Sequence, residues 1–204
     1  MIKSVVGDRL AVRRGERLLL RGLSFSLAAG QALALVGPNG AGKTSLLRAV
    51  AGFLRPESGS VSFQGEGGDL DAEDARRAGV HLVGHQDALK SARSARDELL
   101  FQARWTGGGD AAALAAAERL GLTRVLGLAV RQLSAGQRRR LALARLIASP
   151  RPLWLLDEPL APLDQAHRTL FGELMAAHLE TGGLVIAAVH DPLPIPVRTL
   201  EIAA

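Results

Sequence analysis

The sequence predicts an α/β fold on a parallel sheet, with an antiparallel β subdomain at the N-terminus and an inserted helical lobe. Apolar residues recur at every second position in the first thirty residues, which is typical of short strands. Continuous apolar runs at residues 32–36, 153–156 and 184–189 alternate with helical patterns, as expected for buried parallel strands. Helical patterns fill residues 87–132. We expect one domain over residues 1–204, with 87–132 as its helical lobe.

The same periodicities place the individual elements. Alternating apolar residues predict three short N-terminal strands, at residues 10–12, 18–20 and 23–27. Asp110 and Asp164 precede helical patterns as plausible N-caps. Further strands are predicted at residues 60–63, 80–83 and 198–202, and helices at 43–51, 72–78, 97–105, 111–120, 135–149 and 165–180.

Composition limits the possible functions. At 48% hydrophobic and 22% charged residues the chain can bury a core, which argues against disorder. The net charge of +5 permits nucleic acid, an anionic membrane surface or phosphate ligands as partners. The lack of cysteine excludes disulfides, zinc–thiolate sites and a cysteine nucleophile. No apolar run approaches the roughly 20 residues that span a bilayer, so we expect a cytosolic chain.

A glycine-rich stretch carries the strongest chemical signal, Gly37-Pro38-Asn39-Gly40-Ala41-Gly42-Lys43-Thr44. It has the phosphate-loop pattern and lies between a predicted strand and a predicted helix, as that pattern requires. Glycines allow backbone N–H groups to close around phosphate oxygens, and the helix N-terminus attracts the anion. We expect Lys43 to bind the β- and γ-phosphates and Thr44 to bind Mg²⁺, with Ser45 also at the nucleotide. The core should be that of a phosphate-loop NTPase.

Two carboxylates follow the apolar run at residues 153–156. Asp157, at the carboxyl end of this strand, can hold Mg²⁺ through water, and Glu158 can orient and polarise an attacking water. Alone, such a pair is more often part of a solvated loop. Together with the phosphate loop it favours nucleotide hydrolysis.

Other polar positions gain meaning from their place in the chain. The stretch Leu133-Ser134-Ala135-Gly136-Gln137 precedes a helical run, and Ser134 and Gln137 have the spacing of a capping box. A capped helix start with a glycine also offers N–H groups to an anion. Gln86 and His190 each follow a predicted strand, where a loop polar residue or a structural histidine is the simplest interpretation. Parallel strands nevertheless place such residues at the same sheet edge.

These features, in this order, resemble the nucleotide-binding subunits of ATP-binding-cassette (ABC) transporters over essentially the whole chain. The signature at residues 133–137 is the most specific of them. The resemblance implies that Gln86 senses Mg²⁺ and couples to the membrane subunit. It places Asp164 in a loop at the dimer interface and makes His190 the residue that holds the γ-phosphate and the water. ATP and Mg²⁺ are the implied ligands.

The resemblance also implies a homodimer, in which Ser134 and Gly136 of one chain complete the site of the other. Residues 84–90, 137–145 and 190–194 are closest to the haem exporter ATPase of cytochrome c maturation. That subfamily implies an integral membrane permease as partner and a peripheral place on the cytoplasmic face of the inner membrane. We expect no direct binding of haem, because His85 and Lys90 are explained as solvated loop residues. We expect none of nucleic acid, because neither aromatic platforms nor a recognised reader module is visible in the sequence.

One departure from the family concerns the base. Family members usually place an aromatic residue, often tyrosine, upstream of the phosphate loop to stack on adenine. This sequence has no tyrosine, and the matching position is Arg14. A guanidinium plane also stacks on a base. Arg14 is therefore a candidate adenine ligand, and a solvated turn residue before Gly15 is the alternative.

Other classes of function compete with a transport ATPase. The charge is compatible with an ABC ATPase acting on nucleic acid or ribosomes, because arginines supply phosphate affinity. No coiled-coil insertion separates Lys43 from Ser134, and the chain holds one cassette, which argues against this class. A regulatory cassette that only binds nucleotide is disfavoured by Glu158 and His190. A transport ATPase serving a different exporter is the remaining alternative.

Overall fold

The computed structural model describes residues 1–203, which divide into two compact units. The first consists of Met1–Gly84, Arg151–Pro159 and the residues from Gly172 on. The second consists of His85–Pro150 and Leu160–Phe171. Within the described residues, no helix combines the length and the apolar character needed to cross a bilayer.

The element order confirms the predicted α/β class with one parallel and one antiparallel sheet. The strands are β1 (Ser4–Arg14), β2 (Arg17–Ala28), β3 (Ala32–Val36), β4 (Ser58–Gly65), β5 (Gly68–Leu70), β6 (Val80–Val83), β7 (Leu153–Asp157), β8 (Leu184–Ala188) and β9 (Arg198–Glu201). The helices are α1 (Lys43–Val50), α2 (Ala72–Gly79), α3 (Ala95–Trp105), α4 (Asp110–Arg119), α5 (Ala135–Ala148) and α6 (Gln165–Glu180).

The parallel sheet of the first unit has the strand order β6-β7-β8-β3-β9. Every residue of β7 and β8 is buried, which explains why these strands are continuous apolar runs rather than alternating ones. Ala188 of β8 pairs with Leu35 of β3 on one side and with Asp157 of β7 on the other. The carboxyl ends of these three strands therefore lie side by side.

The antiparallel sheet has the order β2-β1-β4-β5. The prediction of three short N-terminal strands was wrong, because residues 18–20 and 23–27 both belong to the long strand β2. Irregular β1–β2 register and Gly22, with φ of 65°, interrupt the apolar alternation without ending the strand. The short strand β5 was not predicted, since its three residues carry no apolar alternation.

The apolar core of the first unit includes residues from both sheets and from α1. Val5 and Phe63 of the antiparallel sheet, Leu46 and Leu47 of α1, and Leu155 of β7 are completely buried in it. Burying such side chains is the main contribution to stability, at about 1.5–3 kcal/mol each. The start of α1, where the phosphate loop ends, is thereby held on a packed scaffold.

The second unit is helical and contains α3, α4, α5 and the first part of α6. Asp110 is not the N-cap of α4 as predicted. Gly109 occupies that position, and Asp110 lies in the first turn, where it accepts hydrogen bonds from Arg104 of α3. A carboxylate in a first turn interacts favourably with the helix dipole without serving as the cap, and here it also pairs with arginine.

His178 of α6 makes the first unit sensitive to acid. Its ring stacks on Trp154 with 3.9 Å between centroids, and Nε2 lies 3.4 Å from the Leu184 carbonyl oxygen. Burial lowers the pKa of His178, and hydrogen bonds to backbone carbonyls oppose this only in part. The folded chain therefore favours neutral His178, so its contribution to stability is complete above the unfolded pKa of about 6.5 and is lost as pH falls below it.

We expect thermal unfolding to show this dependence. Between pH 7.5 and pH 5.5 the melting temperature of the wild type should fall more than that of His178→Gln, which cannot take up the proton. The remaining histidines are the same in both proteins, so the difference between the two shifts isolates His178. Equal shifts would contradict the assignment.

Candidate functional site

The phosphate loop joins β3 to α1 with its glycines in the left-handed region. The angle φ is 144° at Gly37, 78° at Gly40 and 112° at Gly42. A Cβ on Gly37 would lie 2.3 Å from the Ile202 carbonyl oxygen, so a side chain cannot be accommodated there. Gly42 is the N-cap of α1 without a side-chain capping bond, and the first turn has no acidic residue. The loop therefore leaves the start of α1 suited to an anion.

Lys43 is only 7% exposed and folds back over this loop. Its Nζ donates to the carbonyl oxygens of Gly37, at 2.5 Å, and of Pro38, at 3.2 Å. The ammonium group is thus held at the loop by backbone oxygens rather than by a carboxylate. A phosphate anion would supply a stronger, charged partner for the same group.

Thr44 and Asp157 meet at the ends of α1 and β7. The Thr44 hydroxyl donates to Asp157 Oδ2 at 2.9 Å, and the Asp157 residue is 4% exposed. A hydroxyl and a carboxylate at this distance form an all-oxygen donor set of the kind that Mg²⁺ takes beside phosphates. The next residue, Ser45, is buried within α1. The Thr44 and Asp157 pair fits the predicted magnesium ligands.

Glu158 follows β7 in an unusual backbone conformation. Its φ is 49°, and its backbone N–H donates to the Ala188 carbonyl oxygen at 2.9 Å, which ties the residue to the end of β8. Its Oε1 lies 3.5 Å from Nε2 of His190. Left-handed φ at a non-glycine residue is sparsely populated and clusters at functional sites. The two predicted hydrolytic residues are brought together at one sheet edge.

The signature stretch begins α5 as predicted. The Ser134 hydroxyl accepts from the Gln137 backbone N–H at 3.2 Å, and Gln137 Oε1 accepts from the Ser134 backbone N–H at 2.8 Å. This is a complete capping box, so the structural role of the pair is confirmed. A Cβ on Gly136 would lie 3.0 Å from the Pro162 carbonyl oxygen, which favours glycine there.

Asp164 is the cap of α6 in the second unit. Its Oδ1 accepts from the His167 backbone N–H at 2.9 Å and lies 2.7 Å from His167 Nδ1. The hydrogen bonds from His167, together with the nearby charge of Arg140, hold the pKa of Asp164 below its ordinary value. Asp164 is therefore ionised at neutral pH. Its place at a dimer interface stays a prediction.

Gln86 lies in the second unit, after β6, and its side chain is exposed. The neighbouring Asp87 is held by α5, where Arg139 NH1 donates to its Oδ1 at 3.0 Å. Sequence reasoning missed this contact, because nothing in the local pattern pairs residues so far apart in the chain. The role of Gln86 at Mg²⁺ also stays a prediction.

A cavity of about 890 Å³ lies beside the phosphate loop, between the β1–β2 hairpin and residues 201–203. It is lined by Arg13, Arg17 and apolar residues of β2 on one side and by Gly40 and Ala41 on the other. Arg14, the candidate adenine ligand, is exposed at the end of β1 and is not among the lining residues. Arg17 pairs with it across the hairpin and does line the cavity. The two arginines therefore differ only in their place in the hairpin, which decides that Arg17 and not Arg14 lines the cavity.

We expect Arg17→Ala to weaken ATP binding by about two- to fivefold, the effect of losing one exposed cation–π contact. Arg14→Ala should weaken it less. The two variants remove the same charge from the same hairpin, so both lose the same general electrostatic attraction for the anionic nucleotide. Titration of ATP by calorimetry measures both affinities. A larger loss for Arg14→Ala would support Arg14 as the adenine ligand, and two unchanged affinities would exclude both arginines.

Comparisons with known proteins identify the family of the chain. A family model described as ABC transporter matches residues 20–161. The Cytochrome c biogenesis ATP-binding export protein CcmA of Rhodopseudomonas palustris (strain BisB5) is 48% identical over 198 residues, with 97% of each chain covered. The CcmA protein of Rhizobium meliloti (strain 1021) is 47% identical over 193 residues, covering 93% of this chain and 92% of that protein.

Solved structures show the same fold. The dimeric structure of MJ0796, a bacterial ABC transporter cassette, has a TM-score of 0.82 at 22% identity and covers 98% of this chain and 94% of its own. At this identity the likeness supports the fold, while the family rests on the sequence matches. With the phosphate loop and signature in place and nearly half of its residues identical to such relatives, the chain belongs to the ABC transporter ATP-binding proteins and, within them, to the CcmA family.

Proposed function

We propose that the chain is the ATP-hydrolysing, energy-coupling subunit of the membrane ABC transporter complex that serves cytochrome c biogenesis and haem export. The observation that carries this proposal is the grouping of the predicted catalytic residues at one edge of the parallel sheet. The phosphate loop follows β3. Asp157 is the last residue of β7 and accepts a hydrogen bond from Thr44. His190 follows β8, and its Nε2 lies 3.5 Å from Glu158 Oε1. The near full-length match to CcmA proteins supports the biological assignment.

In the proposed reaction a water attacks the γ-phosphorus and the bond to the β–γ bridging oxygen breaks, giving ADP and phosphate. Glu158 orients the water and accepts its proton, while His190 holds the γ-phosphate side of the site. Lys43 and the N–H groups at the start of α1 stabilise the charge on the phosphates. Phosphoryl transfer depends mainly on such positioning and electrostatic stabilisation, which fixed backbone and strand ends provide.

Mg²⁺ is the proposed metal, held by Thr44 and Asp157, whose oxygens lie 2.9 Å apart, and by Gln86 as the family resemblance assigns it. When bound, the ion neutralises charge on the β- and γ-phosphates. Its ligands on this chain are oxygen donors only, which Mg²⁺ prefers.

The proposed working form is a homodimer. The start of α5, with Ser134 and Gly136, would contact the ATP of the other chain, since capped helix N-termini bind anions. The Asp164 loop would line the interface between the two chains. Hydrolysis would then wait until ATP closes the two chains together.

We further propose that both compact units act as one ATP-binding domain, with residues 87–132 as its helical lobe. Its partner would be an integral membrane permease at the cytoplasmic face of the inner membrane. The chain itself would bind neither haem nor nucleic acid.

The partner identifies the process. We would purify tagged protein from detergent-solubilised native membranes and identify the chains that accompany it by mass spectrometry. A multi-spanning permease together with cytochrome c maturation proteins is the expected result. A permease of another system would keep the transport ATPase and remove the haem assignment, whereas ribosomes or nucleic acid would reject the transporter.

A further inference from the structure

Arg139 is the largest of the fully buried side chains, at 2% exposure. It lies in the second turn of α5, shortly after the Ser134 cap, and donates from NH1 to Asp87 Oδ1 at 3.0 Å. The Asp87 side chain is itself only 20% exposed. Both residues belong to the helical unit, and Asp87 directly follows Gln86.

The arginines on either side of Arg139 in α5 donate to backbone carbonyl oxygens. Arg138 donates to the Leu133 carbonyl oxygen, and Arg140 donates to that of Leu120. Arg139 meets a carboxylate on the segment that carries Gln86. A buried guanidinium is strongly destabilising unless it is paired, so this contact holds the segment firmly against the signature helix.

A second contact fixes the other side of the same segment. Ala88 has φ of 55°, a conformation that a non-glycine residue keeps only when its surroundings impose it. Its carbonyl oxygen lies 3.4 Å from Gln102 Nε2 of α3, and this Nε2 also donates to the buried Glu98 at 2.7 Å. The backbone beside Gln86 is therefore held from α5 and from α3.

We propose that Asp87 and Arg139 form a positioning pair, which fixes the direction of Gln86 relative to the signature helix α5. Neither side chain acts on the nucleotide. Within the helical unit, the pair keeps the backbone beside Gln86 at a fixed position relative to α5, which begins after Ser134. The functional consequence rests on the proposed role of Gln86 at Mg²⁺.

The first test concerns the segment alone. In the nucleotide-free protein, amide hydrogen exchange at residues 87–90 should become faster in Arg139→Gln. The matched control is Arg104→Gln, which removes an arginine from the Arg104–Asp110 ion pair of the same unit. Unchanged exchange in Arg139→Gln would overturn the proposal. Should that variant fail to fold, Asp87→Asn weakens the same pair while keeping a hydrogen-bond acceptor at Asp87, and it is held to the same criterion.

The second test concerns the metal. Mn²⁺, which substitutes for Mg²⁺ and is visible by electron paramagnetic resonance, would be titrated into protein saturated with a non-hydrolysable ATP analogue. We expect Arg139→Gln and Asp87→Asn to weaken Mn²⁺ binding by up to roughly tenfold, the lower end of the effect of removing the groups that orient a metal ligand. The double variant should be no weaker than Arg139→Gln, and metal-free analogue binding should not change.

The variant Gln86→Ala distinguishes failure of the positioning pair from failure of the proposed role of Gln86 at Mg²⁺. In one outcome, Gln86→Ala weakens Mn²⁺ binding, while Arg139→Gln has the same Mn²⁺ affinity as the control Arg104→Gln. This outcome would overturn the positioning pair and leave the role of Gln86 intact. Unchanged Mn²⁺ binding in Gln86→Ala would overturn that role, and the functional part of this inference with it. Weakened Mn²⁺ binding in both Gln86→Ala and Arg139→Gln would support the role of Gln86 as well as the positioning pair.

Discussion

Replacing Glu158 by glutamine is expected to slow ATP hydrolysis by roughly 10²–10⁴-fold, which is what a positioned general base contributes. Glutamine keeps the length and hydrogen-bonding capacity of the side chain but cannot accept the proton from water. The backbone should not move, because the bond from the Glu158 N–H to the Ala188 carbonyl oxygen fixes it. Phosphate release at saturating ATP and Mg²⁺ measures the effect.

ATP binding should survive this change, since the phosphate loop and Lys43 are untouched. The variant should therefore accumulate as an ATP-bound dimer, which light scattering detects as a doubled mass. Glu173→Gln, the same chemical change on the exposed part of α6, should hydrolyse ATP at the wild-type rate. A fall of less than about threefold in Glu158→Gln would mean that another group accepts the proton.

The parts of this site that could be predicted from sequence are local ones. Phosphate-loop glycines, the Ser134–Gln137 capping box and the apolar strand before Asp157 each depend on residues a few positions apart. Their backbone conformations follow from short-range sterics and hydrogen bonds, which a pattern in the sequence records. The juxtaposition of Glu158 and His190 could be expected as well, because parallel strands align their carboxyl ends.

The parts that could not be predicted depend on register and on long-range pairing. Which arginines of the β1–β2 hairpin line the cavity depends on the register around the turn, where Arg14 pairs with Arg17, and apolar alternation does not define that register. The Asp87–Arg139 contact joins a loop to a helix through the packing of a whole unit. The sequence marks Arg139 only as one of several arginines, and its burial is a property of the tertiary structure.

Replacing Lys43 should weaken the binding of the nucleotide phosphates while leaving the fold intact. Charge-assisted hydrogen bonds contribute about 1.5–3 kcal/mol each, so Lys43→Ala and Lys43→Met should weaken ATP binding by roughly 10- to 100-fold. Hydrolysis should fall to background. The Nζ atom lies 2.5 Å from the Gly37 carbonyl oxygen, which places the charge at the loop.

Lys43→Met separates charge from packing, because methionine fills most of the buried space of the lysine stem. If charge is the cause, Lys43→Met should bind ATP and ADP as weakly as Lys43→Ala, while both bind adenosine like the wild type. Lys3→Met removes the same charge from an exposed ion pair with Glu66 and should change none of these affinities. Wild-type ATP affinity in Lys43→Met would mean that Lys43 supports the loop by volume alone, and the phosphates would then have to be bound by the backbone N–H groups at the start of α1.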